Sequence, residues 1–253
     1  MKKVLFIGNS QIGSLKAGWE EILLTSDIPS IEPYFAGVRE QVFFYSKLND
    51  SNFYFREDLS NKLNSPLMFS WDNRNSFIDL SIFDKIIIAA GPSRHYLPLY
   101  VDQHSSFFPK LSPTLVEDIV LHGRLSNHSA IDRTAPAVFE LMKTLTRKVI
   151  YLGAPLPSES IKNKLICSDW RENEILDLQD RIKMACSKIN ACDNYPTFFS
   201  PQQTLCDPLM SFTKHQYMRE GLRYNGQING DPYHANSSYG SHVIRFIADL
   251  FVQ

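Results

Sequence analysis

The chain alternates short apolar runs with longer segments in which apolar residues recur every three or four positions. Three of the runs are rich in β-branched residues and end at glycine or proline: KVLFIG (3–8), FDKIIIAAG (83–91) and RKVIYLGAP (147–155). A fourth, IEPYFAG (31–37), is interrupted by Pro33. Continuous apolar runs of this length are typical of strands buried on both faces of a parallel sheet.

Helical periodicity appears between and after these runs, in residues 15–26, 135–147, 171–189 and 238–251. In the last of these, Val243, Ile244, Ile247 and Leu250 share one helical face, which we expect to pack on the sheet. Strands alternating with helices predict an α/β fold. We expect one domain over 1–253, a three-layer α/β/α sandwich with a mainly parallel sheet of about five strands.

Two segments, 38–80 and 96–132, do not follow this pattern and are rich in Phe, Tyr, Asn, Ser and His. We interpret them as insertions at the end of the sheet where α/β proteins usually contact their substrates. The first insertion carries many aromatic residues, which favour a small satellite core over a shelf for stacking sugars. They include Phe43, Phe44, Tyr45, Tyr54 and Trp71.

Charge and cysteine usage exclude several classes of protein. With 26 basic and 27 acidic side chains and no run of like charges, the chain is not expected to bind nucleic acid. Its apolar runs are too short for a membrane span or a signal peptide. The four cysteines have neither zinc-site spacing nor the density of a secreted disulfide scaffold. We therefore expect a soluble, cytoplasmic protein.

The first strand leads into the polar stretch GNSQIGS, residues 8–14, which allows three interpretations. Gly8 and Gly13 form the GxxxxG frame of a phosphate loop, but Ser14 stands where that motif needs lysine. A dinucleotide fingerprint is disfavoured because Ser10 replaces the middle glycine. Ser10 is either the N-cap of the following helix or an exposed nucleophile.

A second polar loop, DPYHANSSYG (231–240), precedes the last helical segment. It places Asp231 three residues before His234, in a turn that can direct a carboxylate and an imidazole the same way. Such a pair can activate a serine hydroxyl, with the histidine as proton acceptor and the aspartate stabilising its cation. The loop favours the nucleophile interpretation of Ser10.

Together, the Gly-x-Ser end of the first strand and the D-x-x-H loop before the last helix resemble the SGNH (GDSL-like) hydrolase superfamily. The resemblance implies that Ser10 is the nucleophile, His234 the general base and acid, and Asp231 its orienting partner. It also implies an oxyanion hole formed by the backbone N–H groups of Ser10 and Gly37, together with a third donor.

The third donor's motif departs from the family pattern. Where the family has Gly-x-Asn-Asp, this chain has Gly91, Pro92, Ser93 and Arg94. Ser93 is therefore the candidate donor, and Arg94 and His95 are candidate substrate-binding residues. Asn9 also stands where the family often has Asp.

The resemblance implies acyl transfer through a serine ester, with no cofactor and no metal. Water as the acceptor gives an esterase, and a sugar hydroxyl gives an O-acetyltransferase. The expected substrate is an acylated carbohydrate or another small ester. The departure at Ser93 leaves a second interpretation open, in which the chain is a non-catalytic glycan-binding or assembly module with an SGNH-like fold.

Overall fold

The computed structural model describes residues 1–8, 10–37, 47–54, 68–69, 77–89, 112, 114–115, 149–152, 155, 158–161, 197–198, 200–206, 213–220, 223–224, 227–228 and 234–251. The two helices predicted over 135–147 and 171–189, and nearly all of the insertion predicted over 96–132, lie outside these ranges.

The described strands and helices are named here in chain order. The strands are β1 (Lys2–Gly8), β2 (Ile31–Gly37), β3 (Lys47–Asn49), β4 (Asn52–Tyr54), β5 (Met68–Phe69), β6 (Phe77–Asp79), β7 (Lys85–Ala89), β8 (Val149–Leu152), β9 (Thr197–Phe198), β10 (Arg223–Tyr224) and β11 (Gln227–Ile228). The two α-helices are α1 (Ile12–Ile22) and α2 (Ser237–Asp249). All four strands predicted from the sequence are present.

The main sheet has the order β5-β2-β1-β7-β8-β9, and four of its pairings are parallel. The prediction of an α/β fold with a mainly parallel sheet is confirmed. The described sheet has six strands instead of five, because the two-residue β5 adds an antiparallel pairing to β2. Pro33 is tolerated in β2 because β5 pairs only with Ala36 and Gly37, beyond the proline.

The central strands β1 and β7 are buried on both faces of the sheet. One face carries Val4 and Phe6 of β1, Phe35 of β2 and Ile87 of β7, which form a core with α1 and α2. Phe6 and Phe35 stack with their ring centroids 5.3 Å apart. The alternate positions on the other face, such as Ile7, are equally buried. This accounts for the unbroken apolar runs in the sequence.

The two helices pack directly on one another through small residues. A Cβ atom placed on Gly240 would lie 1.9 Å from the backbone oxygen of Ser14, and one on Gly18 would lie 2.3 Å from the backbone nitrogen of Ser241. Only glycine permits such a close approach of two backbones. Val243, Ile244 and Ile247 of α2 are fully buried, as the helical periodicity predicted.

A smaller antiparallel sheet, β3-β4-β6, lies within the segment predicted as the first insertion. Phe53 and Ile78 are buried there, and the rings of Tyr54 and Phe77 are 5.4 Å apart. Phe43, Phe44, Tyr45 and Trp71 lie outside the described residues. Among the described helices, none has the length and apolar character needed to cross a membrane.

Candidate active site

Ser10 lies immediately after the central strand of the main sheet. β1 ends at Gly8, and α1 begins after Gln11, which occupies the N-cap position. The backbone carbonyl of Ser10 accepts a hydrogen bond from Gly13 N–H at 3.2 Å, which closes the turn into the helix. The residue assigned to the N-cap position is Gln11, whose backbone angles are helical and whose side chain makes no capping hydrogen bond.

His234 lies three residues before α2, in a loop that is fixed by hydrogen bonds to the segment 216–219. The His234 carbonyl accepts from Arg219 N–H at 2.8 Å, and Asn236 N–H donates to the Tyr217 carbonyl at 2.9 Å. Ala235 forms an antiparallel bridge with Met218. The backbone on both sides of His234 is thus paired as in a short strand, although the side chain remains partly exposed.

The fold brings the Ser10 and His234 side chains together. Ser10 Oγ and His234 Nε2 are 2.9 Å apart, although the residues are separated by 224 positions in the chain. This is the normal length of a hydrogen bond between a hydroxyl and a ring nitrogen. When Nε2 carries no proton, the hydroxyl donates to it, which is the arrangement that a histidine base needs to deprotonate a serine.

The contact between α1 and α2 aligns these two side chains, because each helix begins within three residues of one of them. Glu21 of α1 reinforces the contact. Its carboxylate accepts from the hydroxyl of Ser237 and, at 3.2 Å, from that of Ser241. Ser241 Oγ also lies 3.0 Å from the Gly18 carbonyl oxygen. The N-terminal part of α2 is therefore hydrogen-bonded both to a side chain and to the backbone of α1.

Gly37 ends β2 at the same edge of the sheet. The register pairs Gly8 with Gly37 and with Ala89, so all three lie at the carboxyl edge from which Ser10 follows. A Cβ on Gly8 would lie 1.7 Å from the Ala89 carbonyl oxygen, which explains why glycine is required at the end of β1. The structure thus places Gly37 on the strand next to the one that leads into Ser10.

The remaining predicted site residues, Asp231, Ser93, Arg94 and His95, lie outside the described residues. Their roles stay predictions. Within the described part of the chain, no group of three His, Cys, Asp or Glu side chains could hold a metal ion.

A second polar cluster supports the segment that fixes His234. The Glu159 carboxylate accepts from the Cys206 thiol and from His215 N–H, both at 2.9 Å. These two hydrogen bonds, the first being the larger influence, hold the pKa of Glu159 below its usual range. Glu159 N–H in turn donates to the Thr213 carbonyl at 3.0 Å. The cluster links the chain after β8 to the segment 213–219.

Sequence reasoning did not identify Asn236 as part of this site. Its Oδ1 accepts from Tyr239 N–H at 3.1 Å and caps α2, while its Nδ2 donates to the carbonyls of Gln216 and Met218. An asparagine directly before a helical pattern is a known start signal. That signal predicts the cap, but nothing local in the sequence indicates the two tethers to a segment about twenty residues earlier.

No family model and no curated protein matches this chain. Three solved structures align over nearly all of it, and all have low TM-scores. A Streptococcus pneumonia protein assigned provisionally as a platelet activating factor is 14% identical, with 97% of this chain and 83% of that chain covered and a TM-score of 0.39. A Chitinophaga pinensis protein assigned provisionally as a lipase is 8% identical, with coverage of 100% and 98% and a TM-score of 0.39.

The third structure, a DUF4886 family protein from Bacteroides uniformis, is 13% identical. The alignment covers 98% of this chain and 82% of that chain, with a TM-score of 0.34. At such scores the alignments do not define a shared fold family. The function must therefore be inferred from the geometry of the site itself.

Proposed function

We propose that this protein is a serine-dependent acyl ester hydrolase or O-acetyltransferase that acts on an acylated carbohydrate or a small ester. The observation that carries the proposal is the 2.9 Å contact between Ser10 Oγ and His234 Nε2. The pairing joins a residue at the end of the central strand to one at the start of the last helix. It is the nucleophile and base arrangement on which covalent acyl transfer depends.

In the proposed reaction, Ser10 Oγ attacks the ester carbonyl and His234 Nε2 takes its proton. The tetrahedral intermediate collapses to an acyl-serine, and the imidazolium returns the proton to the departing alkoxide. The acceptor then gives a proton to His234 as it attacks the acyl-serine. When the second tetrahedral intermediate collapses, the ester bond to Ser10 Oγ breaks and the imidazolium returns this proton to Oγ, which regenerates Ser10 and the neutral histidine. Water as the acceptor completes hydrolysis, and a sugar hydroxyl completes transfer.

Asp231 is the proposed partner of His234. Since Nε2 faces Ser10, the other ring nitrogen, Nδ1, must carry a proton while Nε2 accepts one. A carboxylate bound to that N–H fixes the tautomer and stabilises the imidazolium. Asp231 precedes His234 by three positions in the sequence, which is the reason for assigning it this role.

The negative oxygen of the intermediate is proposed to bind the backbone N–H groups of Ser10 and Gly37, with Ser93 as the third donor. Two features support this assignment. Ser10 precedes α1 by two residues, and the N-terminal end of a helix carries partial positive charge. Gly37 lies on the strand adjacent to β1, at the same edge. Arg94 and His95 are proposed to contact the substrate.

The architecture completes the proposal. We propose that residues 1–253 form one SGNH-like domain, in which layers of helices cover both faces of the parallel sheet. The burial of the central strands β1 and β7 on both faces supports this arrangement. The preference for a glycan ester rests on the sequence resemblance alone.

The alternative is a non-catalytic glycan-binding or assembly module with a remnant of this site. The observation in its favour is Ser93, which stands where the SGNH pattern has asparagine. Loss of one oxyanion donor lowers the rate of a comparable hydrolase by roughly 10²–10³. A loss of this size alone gives a slow catalyst, whereas the non-catalytic module is expected to bind glycans without turning over an ester.

Hydrolysis of a short-chain chromogenic ester distinguishes these functions. The wild type should turn over the ester, whereas Ser10→Ala and His234→Ala should lose most of the activity. Two controls on α2, Ser238→Ala at an exposed site and Arg245→Met, whose side chain contacts Asp27 and Thr25, should retain it. Equal rates in all five proteins would eliminate the proposal, and acyl transfer seen only with added sugar would assign the transferase.

A further inference from the structure

The side chain of Asn236 joins the His234 loop to the segment 216–219 through two hydrogen bonds and caps α2 through a third. Nδ2 lies 2.7 Å from the Gln216 carbonyl and 3.2 Å from the Met218 carbonyl, and Oδ1 lies 3.1 Å from Tyr239 N. The amide can be oriented only one way, because a carbonyl can accept only from the NH₂ group. Both halves of the side chain are therefore used.

These bonds act on the backbone that carries His234. Gln216 and Met218 flank Tyr217, whose carbonyl accepts from Asn236 N–H, and Arg219 N–H donates to the His234 carbonyl. Asn236 thus closes a short ladder, with its side chain supplying two of the bonds. Helix capping alone does not require Nδ2, since serine or threonine caps helices with a hydroxyl oxygen.

We propose that Asn236 is a positioning residue for His234, holding its imidazole at bonding distance from Ser10 by tethering the loop to the 216–219 segment. The role rests on the proposed acyl transfer, in which a displacement of about 1 Å between reacting groups costs up to roughly 10²-fold in rate. The hydrogen bond to Oδ1 caps α2, and the two hydrogen bonds from Nδ2 hold the loop that carries His234. The two tasks can be separated by substitution.

Asn236→Ser is the central variant, because it retains a capping oxygen and lacks the two amide donors. Asn236→Thr is the second variant, for use if the first does not fold. Arg245→Met is the matched control. It removes the guanidinium contacts to the Asp27 carbonyl, the Asp27 carboxylate and Thr25, which likewise tether α2, at positions remote from His234.

The experiment measures fluorophosphonate labelling rate, ester kcat and KM, thermal unfolding and hydrogen exchange at the Arg219 amide. For Asn236→Ser we expect labelling and kcat to fall roughly tenfold to a hundredfold, with KM unchanged. The Arg219 amide should exchange faster, since its acceptor is the His234 carbonyl. Arg245→Met should match the wild type in labelling, kcat and Arg219 exchange.

Unchanged labelling and unchanged Arg219 exchange in Asn236→Ser would overturn the positioning role. So would an equal loss of labelling in Arg245→Met, because the effect would then follow from general loosening of α2. If the wild type is not labelled at all, the proposed acyl transfer fails. Exchange at Arg219 still decides the positioning role in that case, because it does not depend on activity.

Discussion

Replacement of Gly240 by alanine tests the helix contact that aligns the site. The added Cβ would lie 1.9 Å from the Ser14 backbone oxygen and 2.6 Å from its carbonyl carbon. Both atoms belong to the backbone of α1, so no side-chain rotation relieves the clash. Because carbon and carbonyl oxygen approach no closer than about 3.3 Å, the helices must separate by roughly 1.4 Å.

Two opposing effects determine the sign of the stability change. An alanine inside a helix is favoured over glycine by about 1 kcal/mol. Forcing an extra carbon into a packed contact costs about 1–3 kcal/mol, and more where backbone must move. With the cost at the upper end, we expect a net loss of about 2 kcal/mol. In a chain of this length that loss lowers Tm by about 4–8 °C.

Thermal unfolding and fluorophosphonate labelling measure the two consequences. Gly240→Ala should unfold at a lower temperature and should also label more slowly, since the separation displaces His234 from Ser10. Ser238→Ala, at an exposed position two residues earlier, is the control and should change neither. A Gly240→Ala protein that is more stable than the wild type would refute the close crossing, because helix propensity would then be the dominant effect.

Two further substitutions test the surroundings of the site. Glu159→Gln should lower stability at neutral pH, because the pKa of Glu159 lies below its usual range in the folded state, so its ionised form is favoured by folding. This difference in stability between the wild type and Glu159→Gln should disappear as the pH falls through the pKa of Glu159 in the folded protein. Urea unfolding that shows the same difference at neutral and acidic pH would contradict this prediction. Tyr239→Phe leaves the buried Ser200 hydroxyl without the tyrosine OH, which lies 2.9 Å away, and should cost about 1–3 kcal/mol. Urea unfolding measures this loss as well, and an unchanged midpoint would remove the role assigned to the bond.

Much of the main sheet could be predicted from the sequence because its central strands β1 and β7 are buried on both faces and therefore consist of continuous apolar runs. The residue at which a helix begins was harder to predict. The pattern predicted the first helix from residue 15, whereas α1 begins at Ile12, since Ile12 and Gly13 follow a polar stretch that hides the first turn. The antiparallel sheet β3-β4-β6 was missed because strands of three residues are too short to show a period.

At the candidate site, residue types and spacing led to the prediction that Ser10 and His234 lie together, and topology explains why the structure brings these two side chains to 2.9 Å. The end of a central strand and the start of a helix packed above it meet at one edge of the sheet. The supporting contacts were not predictable in this way. Glu21 and Asn236 act through partners more than ten residues distant, and such pairings leave no local pattern.

Mass spectrometry of the protein after treatment with a fluorophosphonate is the most direct test of the central claim. We expect one modified residue, Ser10, and no adduct in Ser10→Ala. In His234→Ala we expect labelling slower by roughly 10²–10⁴, the usual contribution of a general base. An adduct on another residue, or equal labelling rates with and without His234, would rule out Ser10 and His234 as nucleophile and base.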